Sequence, residues 1–212
     1  MCNLYRMTKT VAEVAKWFEA LNDATGANFG EEVYPGYPGI VVAEGRVRQM
    51  AWGFPVVLKG KQGQPLKPKP VNNARDDKLL TSFWRDSFVN RRCLIPVSQW
   101  AEAEGEAGSK TRTWYRLVDH ELFAVAGLWR PTAEWGHAYT MVMSDACSQM
   151  AEVHDRMPVI LTGDQWDQWQ HGSADEALAL ARTCDLELQV QQTDERWASA
   201  ARPAQPAQAS LF

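Results

Sequence analysis

At 212 residues, with 45% hydrophobic and 23% charged side chains, the chain is long enough for one domain with a sizeable buried core. A net charge of −4 excludes a generic polyanion binder, and no apolar run approaches the ~20 residues of a membrane span. Cys2, Cys93, Cys147 and Cys184 are scattered without a C-x-x-C, and the four histidines lack ligand spacing. That excludes a disulfide framework, predicts no metal or other cofactor, and fits a reduced, cytoplasmic protein with no signal peptide.

Charge is unevenly spread. Residues 45–75 hold Arg46, Arg48, Lys59, Lys61, Lys67, Lys69 and Arg75 and no acid, which leaves −11 on the remainder. The segment is either a localised anion-binding surface or a solvated lysine-rich loop.

The chain opens Met1-Cys2-Asn3. Removal of Met1 would leave Cys2 with a thiol (pKa about 8.5) and an α-amine (about 7.7–8.0) on adjacent carbons. Such a 1,2-aminothiol can condense with an aldehyde to an imine and close a thiazolidine, or attack an acyl group with its own amine as base. Taken alone, the dipeptide favours an ordinary residue beside a start codon.

Thr10-x-x-Glu13 has the form of a capping box, and Val11, Val14, Phe18 and Leu21 predict a helix over about 10–22. Tyr34–Gly39 is turn-rich. Ile40–Ala43 and Val47–Trp52 read as a hairpin through Glu44-Gly45, and Lys59–Pro70 as an exposed loop. A helix is expected over 77–88, with Asn73 and Arg75 just before it. An amide and a guanidinium there suit phosphate or sugar contacts, though a structural loop role is as good.

Arg91–Pro96 reads as a buried strand. Alternation over Trp100–Glu104 puts Trp100, Glu102 and Glu104 on one strand face, so Glu102 is a surface charge or a shielded general acid. Trp114–Val118 and Leu122–Trp129 look like a strand pair turned at Asp119–Glu121, followed by a strand over Tyr139–Met143. His154-Asp155-Arg156 precedes a strand from Pro158; a His beside an acid is either a general base or a loop residue flanked by an ion pair. Short helices are expected after Thr162 and over 174–182, and a last strand over Leu186–Val190. The pattern is α+β: a single domain, 1–197, with a mixed, mostly antiparallel, barrel-like sheet flanked by a few helices, and a disordered tail over 198–212.

Met1-Cys2, Asn73-Ala74-Arg75, Cys93–Pro96 with Trp100-x-Glu102, Phe123-x-x-Ala126–Trp129 and His154–Pro158 occur in that order. Together they resemble the SOS-response-associated peptidase (SRAP) family of abasic-site processing proteins. The resemblance implies an enzyme whose Cys2 cross-links to the ring-opened aldehyde of an abasic site in single-stranded DNA, with peptidase or lyase activity. It implies that Asn73 positions the N-terminus or the sugar and that Arg75 grips a phosphate. Glu102 would move protons, and His154 would favour strand scission or reversal. DNA contacts are expected from Trp52, Arg46, Arg48, Lys67, Lys69 and Arg75, on a monomer that does not engage membranes. The chain departs from the family pattern at Asn3, at Tyr34–Gly39, and at Ala101 and Ala103, which flank the Glu. A glutamine amidotransferase with an N-terminal nucleophile, or a non-catalytic single-strand binding module, are the alternatives.

Overall fold

The computed structural model describes residues 2–24 and 30–197. The first strand, β1 (Tyr5–Arg6), is followed by α1 (Val11–Trp17), whose Thr10 and Glu13 form the expected reciprocal capping box. The helix stops short of residue 22. Glu19 takes a positive φ of 50°, and the Ala20 N–H returns to the Ala15 carbonyl, which frees β2 (Leu21–Asn22) to pair in parallel with a later strand. After β3 (Glu32–Val33) come β4 (Pro38–Ala43) and β5 (Arg46–Trp52), the expected hairpin. Its turn residues Glu44 and Gly45 both have positive φ, 53° and 69°, which gives the twist that two-residue hairpins need.

The lysine-rich stretch is less open than expected. Its ends zip into a small hairpin of β6 (Phe54–Val56) and β7 (Lys69–Val71), with the lysines on the exposed loop between and at its base. After β8 (Asn73–Arg75) the helix expected over 77–88 breaks. A 3-10 turn covers Asp76–Lys78, and α2 begins only at Arg85 and runs to Asn90. Thr81 gives the local reason: its hydroxyl bonds the Lys78 carbonyl and competes with helix continuation.

The rest of the chain supplies β9 (Arg92–Val97), β10 (Gln99–Glu104), β11 (Thr111–Leu117), β12 (Phe123–Thr132) and β13 (Gly136–Asp145). Then follow β14 (Arg156–Pro158), β15 (Ile160–Leu161), α3 (Trp166–His171), α4 (Ala174–Leu180) and β16 (Leu188–Arg196). The last strand runs six residues past the expected end. The tail expected from residue 198 lies outside the described residues.

These strands build a closed barrel and a flanking sheet. The order β13-β12-β9-β4-β5 is antiparallel at each step, and a parallel pairing of β5 with β13 (Ala51↔Ala138, Trp52↔Tyr139) closes the ring. Ile40, Val42, Leu94, Ile95, Val125, Leu128 and Met141 lie buried in one continuous apolar core. The second sheet is antiparallel, in the order β16-β11-β10-β1-β3. Here the expected pairing of the strands around 114–118 and 122–129 fails: β11 lies in the second sheet and β12 in the barrel. Asp119, at a φ of 60°, turns the chain from one sheet into the other instead of closing a hairpin.

Candidate functional site

The second sheet carries the N-terminus to its place. Tyr5 pairs with Trp100 and Arg6 with Gln99, and the Ala101 N–H donates to the Leu4 carbonyl at 3.0 Å. Continuing that antiparallel register brings Asn3 opposite Glu102, so strand pairing alone delivers Cys2 to the Glu102 neighbourhood. Cys2 is fully buried. Its carbonyl oxygen accepts two side-chain amides, from Asn73 Nδ2 at 2.8 Å and Asn72 Nδ2 at 2.9 Å, and its thiol points to the Leu4 carbonyl at 3.5 Å. Both asparagines are held by the barrel, since β8 runs parallel to β13 with Asn73 opposite Met141.

Burial and alternation set the electrostatics. Glu102 shares a face of β10 with Trp100, as the alternation predicts, and both are buried. Burial lifts the Glu102 carboxyl to about 7, and the charge of Asp155 adds to the lift. Burial, followed by the charge of Glu102, pushes the Cys2 thiol up, so the thiol is held protonated until a base removes its proton. Glu104 continues the alternation but takes a structural part: it accepts from Thr113 Oγ1 and, at 2.9 Å, from Gln192 Nε2.

His154 sits in the turn before β14. Its Nδ1 accepts the Arg156 N–H at 2.9 Å and lies 3.1 Å from Asp155 Oδ1. In the neutral ring the proton is therefore on Nε2. Burial lowers the His154 pKa, against the pull of Asp155. Arg156 locks the turn by reaching both Asp76 (3.1 Å) and Asp145 (3.2 Å). The turn stands beside Glu102, whose carboxyl feels the Asp155 charge. Cys2, Asn73 and Glu102 are thus brought together, with the His154 turn adjoining Glu102.

The expected DNA-contact residues divide. Trp52 is fully buried, edge-on to Tyr5 and stacked with Tyr139, and its Nε1 donates to the Asn72 carbonyl at 3.2 Å. It has no surface for a base, and its part is to hold the asparagine segment. Arg46 pairs with Asp23 (2.8 Å), Arg48 with Glu44 (2.7 Å) and Arg75 with Asp77 (2.9 Å). Lys67 and Lys69 are exposed. Sequence reasoning missed Asn72; the only signal was its place in the Asn72-Asn73 doublet. It also missed the contact beneath Cys2, where the Tyr5 and Tyr139 hydroxyls meet at 2.5 Å. Among the described residues no cluster of ligating side chains could hold a metal ion, and no helix is long and apolar enough to cross a membrane.

Residues 1–198 match the model of the SOS response associated peptidase (SRAP) family. The abasic site processing protein YoqW of Bacillus subtilis (strain 168) is 27% identical over 129 residues, 58% of this chain and 57% of that protein. The abasic site processing protein HMCES of Pongo abelii is 25% identical over 173 residues, 63% of this chain and 48% of that protein. The chain thus spans about half the length of the curated relatives it matches. Among solved structures, a protein from Bacteroides thetaiotaomicron superposes with a TM-score of 0.74 at 19% identity, over 91% of this chain and 93% of its own. One from Bordetella bronchiseptica reaches the same TM-score at 20% identity, over 91% and 99%. At such identities the structures speak for the fold alone. With nearly its whole length inside the family model, the chain belongs to the SOS response associated peptidase (SRAP) family.

Proposed function

We propose that the protein captures abasic sites in single-stranded DNA by forming a thiazolidine between Cys2, once it is the N-terminal residue, and the ring-opened sugar aldehyde. The observation that carries this reading is a buried, carbonyl-clamped Cys2 in the neighbourhood of the buried Glu102, whose carboxyl burial pushes up to about 7. The names of the relatives above, abasic site processing proteins, support the same substrate.

The steps follow from proton balance. The Cys2 amine adds to the aldehyde carbon, and the carbinolamine loses water to give a protonated imine, with Glu102 supplying the proton to the departing hydroxyl. The thiol sulfur then adds to the imine carbon as its proton passes to the Glu102 carboxylate, which restores the acid, and the ring nitrogen keeps the one hydrogen left from the amine. The products are one thiazolidine and one water. A carboxyl near pKa 7 suits both halves, because it is populated as acid and as base at neutral pH. Asn73 and Asn72 fix the Cys2 carbonyl so that amine and thiol approach one carbon. His154, neutral and donating from Nε2, serves strand scission or reversal of the link. The same thiol could release a residue ahead of Cys2 by acyl transfer, the peptidase activity.

The test is incubation with single strands containing one abasic site, read on denaturing gels and by intact mass. The expected product is a stable adduct carrying one DNA strand, lost in Cys2→Ala apart from a transient imine trapped only by reduction. A full stable adduct in Cys2→Ala, or glutaminase turnover in its place, would overturn the reading.

A further inference from the structure

Arg130, near the end of β12, lies outside the acid-free segment. Its guanidinium carbon stands 4.0 Å over the Phe54 ring and 4.7 Å over that of Phe83. Phe54 is buried and Phe83 half-exposed, and the guanidinium between them is partly buried. It pairs with no carboxylate among the described residues, and its one hydrogen bond there, from Nη1 to the Phe83 carbonyl, is long at 3.4 Å. The rest of an arginine's five N–H donors therefore lack a protein acceptor. The acids around it do not neutralise it. Asp86 is taken up by Arg91 and by Asn90 Nδ2 at 3.0 Å, and the exposed Glu134 acts only through its charge. Arg91 adds to the excess, since its own buried Nε has no acceptor. Burial, and then the charge of Arg91, push the Arg130 pKa down, although an arginine stays a cation at neutral pH.

We propose that Arg130 is a phosphate-binding site, which takes a phosphodiester of the DNA strand flanking the abasic site. The inference rests on the DNA reading above and deepens it by adding a contact outside the basic segment. A guanidinium laid flat on aromatic rings presents its donors as a fixed fork, which matches two oxygens of one phosphate and supplies the missing counter-charge. The fold also puts it within reach. Phe54 pairs with Val71, the neighbour of the Asn72 that holds the Cys2 carbonyl at 2.9 Å. At about 3.3 Å along a strand and about 4.8 Å across, the guanidinium falls within about 20 Å of Cys2. A DNA strand held at Cys2 covers that span in about six steps of 3.4 Å or fewer longer ones. The same small hairpin carries the exposed Lys69 opposite Val56, so β7 bears one cation and β6 supports the other.

The experiment measures equilibrium binding of single strands to the wild-type protein and to Arg130→Gln. On intact strands the variant should bind about fivefold more weakly at 0.1 M salt, with a salt slope shallower by roughly 0.7, the share of one phosphate contact. A second series carries a reduced abasic site, which cannot open to an aldehyde, and one neutral methylphosphonate at successive positions around it. Neutralising the phosphate that meets Arg130 should weaken wild-type binding by the same factor and leave Arg130→Gln unmoved. A purely structural arginine would shift every position equally. An unchanged slope in Arg130→Gln, or a methylphosphonate profile identical in the two proteins, would overturn the proposal. Asp86→Asn keeps Arg130 in place and guards against a variant that does not fold. Loss of that acid should tighten binding through the same phosphate, and unaltered affinity there would count equally against the site. Adduct formation on true abasic strands is scored separately. An Arg130-dependent slope with no adduct would sink the cross-linking reaction and leave the phosphate site standing; a normal adduct with no Arg130 dependence would do the reverse.

Discussion

At the scale of single residues, Glu102 carries the sharpest consequences. Its carboxyl stands near 7 when folded against 4.5 as an ordinary glutamate, so from pH 4.5 to 7 the folded chain keeps a proton that the unfolded chain has lost. Stability should fall as pH rises through that window, by on the order of 3 kcal/mol at 1.36 kcal/mol per pH unit. Glu102→Gln, which cannot ionise, should flatten the fall when denaturation midpoints are compared at pH 5 and pH 7.5. The same variant should slow adduct formation by about 10²–10⁴-fold and abolish the decline of rate above pH 7 expected of an acid that must be protonated. Equal rates in both proteins would remove Glu102 from the chemistry. Gly39 is a second sensitive point: a Cβ there would stand 2.2 Å from the Tyr139 hydroxyl and 2.5 Å from that of Tyr5. Gly39→Ala should cost about 1–3 kcal/mol, a midpoint drop of roughly 2–12 °C, partly restored by adding Tyr139→Phe. Glu102 and Asn73 could be singled out because strand alternation and an amide just before an expected helix are local patterns. Trp52 misled because a strand tryptophan inside a basic segment looks like a stacking platform, whereas the closing of the barrel, a non-local event, encloses it against Tyr5 and Tyr139.

At the scale of elements, the acid-free segment divides into two devices. Its arginines on β5 and β8 lean on Asp23, Glu44 and Asp77, acids contributed from outside the segment. Those pairs reach solvent and are individually weak, so phosphate can replace the carboxylate at small cost. Lys59, Lys61, Lys67 and Lys69 stand exposed on or beside the loop between β6 and β7. Four such cations meeting phosphates would give a slope of log affinity on log salt near −3, from roughly −0.7 per contact on single strands. Replacing all four lysines by glutamine should make the slope shallower by about that amount, while Arg75→Ala should weaken intact and abasic strands alike. Affinity and slope unmoved in both variants would make the segment a solvated loop. The hairpin of β4 and β5 was legible from its Glu-Gly turn. The break before α2 was not, because Leu79, Leu80, Phe83 and Phe88 keep helical spacing although Leu80 and Phe83 stay half-exposed. Periodicity registers the spacing and misses the Thr81 bond that ends the turn.

At the scale of the whole molecule, the two sheets divide the labour. The barrel holds Asn72 and Asn73 in register through β13, and the flanking sheet holds Cys2 and Glu102 through β1 and β10. A polar network secures the flanking sheet across its strands. Arg112 reaches Glu32 and Glu195, each at 3.2 Å, Arg6 meets Glu32 at 2.7 Å, and the Arg6 guanidinium lies 3.8 Å over the Trp114 ring. The α+β class and a mixed, mostly antiparallel sheet were legible from strands succeeding one another through short turns. The split into two sheets was not, since nothing local distinguishes a turn that closes a hairpin from one that passes the chain to another layer.

The pairing of β1 with β10 also sets an order of events in the life of the chain. Residues 2–6 leave the ribosome before the groups that enclose Cys2, which belong to residues 72–73 and 99–104. At about 5–20 residues per second, roughly 5–20 s of translation separate the two. Throughout that interval the cysteine that ends fully buried is open to solvent and to any enzyme that acts on the nascent segment. Once β10 has been made and the sheet has formed, that access closes.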